Sequence, residues 1–115
     1  MGFTVDVERR LPSATSIRCS GELDVASCAK LIDAIERAYT PGLVALRVNL
    51  AEVTFIDSTG IGCLIHGALQ CHRQGVRFEV VPGEATLTVM RLTGVGSHLR
   101  IVPPDPRGGS SKTAV

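Results

Sequence analysis

The six residues Asp57-Ser58-Thr59-Gly60-Ile61-Gly62 bring a carboxylate, two hydroxyls and two glycines into one short run. They stand between a brief apolar segment, Thr54-Phe55-Ile56, and a stretch whose apolar residues recur at helical spacing. This setting predicts a strand that ends at Asp57 and a helix that starts at Ser58. The first amides of a helix lack intrahelical acceptors, and the helix dipole favours negative charge there. A serine at such a point is exposed, and neighbouring glycines let another backbone approach closely. Phosphorylation of Ser58 would add about −1.5 to −2 charges at pH 7. Within the chain, the helix amides favour that phosphate and Asp57 repels it. Across an interface, it places bulk and charge where a partner fits a bare hydroxyl. The chemistry implied is an off-switch for binding. Simple capping competes with it, because Asp, Ser and Thr are all favoured N-caps. Neither Asp57 nor Ser58 has Glu or Gln three residues on, so no capping box forms. Each glycine in these first turns also costs about 1 kcal/mol. Capping alone leaves the glycines unexplained.

Other chemistries find less support. A P-loop needs a Gly-Lys pair, and the chain has none. Ile65 occupies the place of the third glycine of a dinucleotide fingerprint. Asp57 at a strand end also suits the phosphoacceptor of a receiver domain. Arg9-Arg10, however, stands where that domain wants an acidic pair, and neither Lys30 nor Lys112 falls on a late strand. A Ser58–His66–Asp24 triad fails because eight residues along one helix separate Ser58 from His66 by ~12 Å. Cys63, His66, Cys71 and His72 spread around a helix instead of converging on a metal. His72 is expected to end a buried stripe, with His66 and His98 at the surface. Of four cysteines, Cys19 and Cys28 fall on apolar faces, where a free thiol acts as a small hydrophobe. Cys63, in the first turns of the same helix as Ser58, is the candidate redox residue, since a helix dipole lowers a thiol pKa.

The elements that must position these residues follow from periodicity. Residues 3–8 and 15–20 alternate apolar and polar side chains, with Leu11-Pro12-Ser13 as a hairpin turn. Over residues 25–39, Cys28, Leu31, Ile32, Ile35, Ala38 and Tyr39 form one helical stripe, with Asp24 placed as its cap. Residues 44–50 alternate again, and a short turn leads to a separate strand at 54–57. The helix from Ser58 to Arg73 has Ile61, Leu64, Ile65, Ala68, Leu69 and His72 as its stripe, and Gly75 closes it. A strand at 76–80, a third helix from Glu84 to Thr93 and a short strand at 99–102 follow. Residues 103–115 are rich in Pro, Gly and Ser and read as a disordered tail. Alternating strands indicate a sheet with one solvated face, lined by Asp6, Glu8, Arg18, Arg47, Asn49, Arg77 and Glu79. The expected fold is α/β: one domain over residues 3–102, a mixed β-sheet with helices packed on one face.

The composition suits a single globular domain. The chain has 115 residues, 44% hydrophobic and 20% charged, with a formal net charge of +1. Near-neutrality and only four aromatic residues argue against direct nucleic-acid binding. No segment approaches the ~20 apolar residues of a membrane span. The charged start MGFTVDVERR is unlike a signal peptide, and the expected location is the cytoplasm.

The run Asp57-Ser58-Thr59-Gly60-Ile61-Gly62, preceded by the VNLAEVTFI of residues 48–56, resembles the signature of STAS domains, especially the bacterial anti-sigma factor antagonists. Gly21-Glu22-Leu23-Asp24 is similar to that family's other recurrent motif. The resemblance implies a binding module without enzymatic activity, cofactor or metal. It makes Ser58 the phosphoacceptor, with Thr59, a departure from the commoner serine, as a second acceptor. It makes Glu22, Asp24, Asp57, Ser58, Thr59, Gly60, Ile61 and Gly62 the partner-binding surface. The implied partners are an anti-sigma factor that is itself a serine kinase, and a metal-dependent serine phosphatase that restores the bare hydroxyl. Two alternatives remain: a STAS module of a lipid-transport or stressosome assembly, and a small-ligand or nucleotide site at the helix start.

Overall fold

The computed structural model describes residues 2–94 and 99–103. Its elements are β1 (Phe3–Leu11), β2 (Ala14–Leu23), α1 (Cys28–Ala38), β3 (Ala45–Ile56), α2 (Ser58–Arg73), β4 (Arg77–Val81), α3 (Glu84–Thr93) and β5 (Arg100–Ile101). The five strands lie in chain order, β1 antiparallel to β2 and the others parallel. Parallel neighbours joined through helices cross over right-handedly, so α1 and α2, advancing the same way, cover one face. Ile17, Cys19, Leu46, Val48, Phe78 and Val80 meet Leu31, Ile35, Ile61 and Leu64 in the core between them. The mixed sheet and the helix-covered face match the expected architecture. The expected tail lies outside the described residues beyond Pro103, and so does His98.

The open face is polar, as alternation requires, but it is not uniformly solvated. Glu79, expected among the exposed residues, is only 8% exposed. Arg47 Nε and Nη2 donate to its Oε1 at 3.2 and 3.0 Å, and Arg77 Nε donates to Oε2 at 2.8 Å. Two guanidinium groups from β3 and β4 thus cover the carboxylate.

Two expected boundaries move, and one helix turns a different face to the core. Residues 44–50 and 54–57 are one strand, because β2 keeps pairing throughout, from Ala14↔Ala45 to Leu23↔Ile56. Register shifts between Arg18 and Ser20 and between Gly21 and Glu22 absorb the break in alternation that suggested a turn. α1 begins at Cys28 instead of Val25. Asp24 caps the preceding turn, its Oδ1 accepting from Ala26 N at 3.0 Å and Ser27 N at 3.2 Å. α2 keeps its bounds but presents a different face. Gly60, Ile61, Cys63, Leu64, Gly67 and Cys71 are buried, while Leu69 is 53% exposed and His72 is exposed. The helix turns its small residues inward to approach closely. A Cβ on Gly67 would stand 2.8 Å from Ile35 Cδ1 and 3.3 Å from the Phe78 ring. Tyr39, also expected in a buried stripe, lies just past α1 and is exposed.

β3 runs past β4, whose pairing ends at Asn49↔Val81. α3 packs against the overhanging half, and Gly83 lies so near β3 that a Cβ there would fall 2.7 Å from the Leu50 carbonyl oxygen. The overhang carries residues 50–56 to one end of the sheet and delivers Asp57 there.

Candidate functional site: the rim around Ser58

Pairing of the last residues of β2 and β3 brings the two sequence motifs together. Glu22 lies opposite Phe55 and Leu23 opposite Ile56. Asp57 N–H then reaches the Leu23 carbonyl at 3.4 Å, and the chain turns into α2. Asp57 is the N-cap: its Oδ1 accepts from Gly60 N at 2.9 Å, and its carbonyl accepts from Ile61 N at 3.0 Å. The capping chemistry is real, and it belongs to Asp57.

Ser58 and Thr59 follow at the first two helical positions, both exposed. Neither hydroxyl is engaged by a hydrogen bond among the described residues. Their amides are among the orphan donors of the helix start. Gly60 and Ile61, expected in the partner-binding surface, point inward instead, Ile61 being 6% exposed. A Cβ on Gly60 would lie 2.5 Å from the Leu23 carbonyl oxygen and 2.8 Å from Ile56 Cγ1. Gly60 therefore lets the two motifs touch each other. Gly62 is the opposite case: it is exposed, and a Cβ there would meet nothing within 4 Å.

The other half of the rim is the turn at residues 24–27. Gly21 opens the approach with φ +100°, a left-handed conformation that favours glycine. Ser27 Oγ donates to the Glu22 carbonyl at 2.7 Å and accepts from Asp24 N at 2.9 Å, so the turn is pinned from inside. Glu22 and Asp24 are both half-buried beside it. Residues 20–28 and 52–62 carry four carboxylates, Glu22, Asp24, Glu52 and Asp57, and no basic side chain.

Two apolar residues in these segments escaped the sequence reading. Val25 is 73% exposed and Phe55 48% exposed, flanking the carboxylates. Val25 was hidden in the presumed helix, and Phe55 in a presumed buried strand. The signal available was parity: Phe55 keeps the outward phase of Arg47 and Asn49, which the two successive register shifts of β3 restore.

Cys63 contradicts its expected activation. It is 3% exposed, and its thiol donates to the Cys28 carbonyl oxygen at 3.4 Å. Burial pushes the thiol well above its ordinary range, and the adjacent Cys28 and Cys19 side chains add to the shift. Desolvation outweighs the helix dipole there. Among the described residues no group of His, Cys, Asp or Glu is arranged to hold a metal ion, and no helix is long and apolar enough to cross a membrane.

Comparison with known proteins agrees with this geometry. The family model described as Mlab, STAS domain, matches residues 7–103. An anti-sigma-B factor antagonist of Listeria monocytogenes is 31% identical over 103 residues, covering 88% of this chain and 90% of the relative. The crystal structure of an anti-sigma factor antagonist from Mycobacterium paratuberculosis has a TM-score of 0.76 at 27% identity, covering 99% of this chain and 94% of that one. The Bacillus cell fate determinant SpoIIAA, in its phosphorylated form, shares the fold with a TM-score of 0.65 at 20% identity, covering 86% and 91%. With both motifs joined at one end of a sheet of this topology, the chain belongs to the STAS domain family, among the anti-sigma factor antagonists.

Proposed function

We propose that the chain is the switched partner in a sigma-factor circuit. Its unphosphorylated rim binds an anti-sigma factor with serine kinase activity and so frees a sigma factor. The kinase moves the γ-phosphoryl group of ATP to Ser58 Oγ, the hydroxyl proton is lost, ADP departs and the complex separates. A serine phosphatase restores the hydroxyl. The observation that carries this reading is the exposed, unengaged Ser58 hydroxyl at the junction of the two motifs. A phosphate there shares one end of the sheet with Asp57, Glu22 and Asp24, so its charge of about −1.5 to −2 falls on a surface that is already acidic. Thr59, next along the helix and also exposed, is the secondary acceptor.

The test is incubation with Mg-ATP and each candidate anti-sigma kinase of the same genome, with mass mapping of the modified residue. Ser58→Ala should bind and escape phosphorylation, and Ser58→Asp should not bind. Equal binding by the two variants overturns the mechanism. The alternative reading is a STAS module of a lipid-transport or stressosome assembly. In that case Ser58 stays unmodified with every kinase.

A further inference from the structure

Three of the four cysteines meet where β2, the start of α1 and the first turns of α2 converge. Cys19 is fully buried and Cys63 nearly so, whereas Cys28 is only half-buried, and all three are free thiols. Burial raises the Cys19 thiol to about 12 and pushes Cys63 higher still, its contact with the Cys28 side chain contributing. Neither is suited to attack an oxidant directly. Cys71 lies apart on the α1–α2 groove with Ile35 and Gly67. The role of small hydrophobe accounts for Cys19 and Cys63. It does not account for a half-exposed thiol set against a buried one.

We infer that Cys28 and Cys63 are a hydroperoxide-oxidisable pair that closes to a disulfide across the rim. The Cys28 sulfur attacks the terminal oxygen of the hydroperoxide and the O–O bond breaks. The thiol proton leaves with the departing water or alcohol, giving a sulfenic acid. The Cys63 sulfur then attacks the Cys28 sulfur, the S–O bond breaks, and water departs with the Cys63 proton. Two thiols are oxidised and one peroxide is reduced. Cys63 lies beside Cys28: its thiol donates to the Cys28 carbonyl oxygen at 3.4 Å, and the two side chains are in contact.

The bond has a consequence for the rim. Cys28 directly follows the turn that carries Asp24, and Cys63 lies five residues after Ser58 on α2. Oxidation removes the S–H that now bonds the Cys28 carbonyl and fixes the Cα–Cα separation within the ~4.4–6.8 Å of a disulfide. The two halves of the rim are then tied to each other by a covalent bond. This regulatory part rests on the reading of the rim as a docking surface. The oxidised form should bind the anti-sigma factor about tenfold more weakly, a coupling of ordinary size.

The experiment treats the full chain with hydrogen peroxide, alkylates the remaining thiols and maps the peptides. A Cys28–Cys63 cross-link, two hydrogens lighter and reversed by dithiothreitol, is expected in the wild type and in Cys71→Ser, and not in Cys28→Ser. Cys28 is half-exposed, so this last variant is the safe one if Cys63→Ser fails to fold. Free, alkylated Cys28 and Cys63 after peroxide overturn the pair, as does a link from Cys28 to another chain or to Cys19. A Cys28–Cys63 link with unchanged partner affinity overturns the regulation. Reduced protein that binds no anti-sigma factor overturns the docking reading instead, and the peptide map still decides the pair.

Discussion

Two glycines two residues apart do unrelated work at the start of α2. Gly60 has no room for a side chain, with the Leu23 carbonyl 2.5 Å and Ile56 Cγ1 2.8 Å from where a Cβ would stand. The first of these is backbone in a paired strand and cannot swing away. Gly60→Ala should therefore lift the helix start off β2 and destabilise the protein by about 1–3 kcal/mol, as overpacking does. Gly62 faces open space, so Gly62→Ala should gain up to about 1 kcal/mol of helix propensity. Urea denaturation of both variants checks the pair, and equal midpoints would remove the packing argument. The sequence reading assigned both glycines to a partner's approach. Spacing shows that small residues are required but not which neighbour requires them, because Leu23 and Gly60 become neighbours only through strand pairing.

At the scale of elements, the bounds of α2 and α3 were legible, since Asp57 and Gly75 mark the ends of one and the Pro82-Gly83 turn opens the other. The continuity of β3 was not, because the register shifts that preserve it belong to its pairing with β2. Nor was the burial of Glu79, which depends on arginines from two strands. That cluster makes a testable link between β3 and β4. Burial acts to raise the Glu79 carboxyl, but the hydrogen bonds and charges of Arg77 and Arg47 outweigh it and hold the group below its ordinary value of 4.5. A carboxyl with a lower pKa folded than unfolded adds stability above the unfolded value, and this is lost as pH falls through the folded value. Glu79→Gln should cost about 1–3 kcal/mol at neutral pH, the range for hydrogen bonds to charged groups. Its stability should also fall less steeply than the wild type's below pH 4.5. Unfolding midpoints measured from neutral to acid pH decide this, and parallel acid limbs for the two proteins would refute it.

Across the whole molecule, the net charge of +1 conceals a separation of charge. Glu22, Asp24 and Asp57 lie at the rim, with Glu52 behind them on β3 opposite Ser20, while Arg10, Arg47 and Arg77, with Glu79 among them, border a depression over Ala14, Ser16 and Ala45 on the open sheet face. Composition cannot reveal this, because the segregation exists only after β2 and β3 pair. A partner that docks on the rim must bring positive charge to it, and Val25 and Phe55 give that contact an apolar centre. Opposite charges across an interface act chiefly on the rate of encounter, and salt screens them over a Debye length of about 10 Å at 0.1 M. Association of the unphosphorylated protein with its anti-sigma factor should therefore slow as ionic strength rises. Glu52 is exposed, and its Glu52→Gln variant should associate several-fold more slowly at low salt, with dissociation nearly unchanged. Arg10→Gln, on the depression of the open sheet face, should leave both rates as they are. Stopped-flow measurements on the three proteins at low and high salt separate these effects. If Arg10→Gln slows association and Glu52→Gln does not, the partner docks on the open face of the sheet, and the proposed switch at Ser58 is overturned as a direct block of docking.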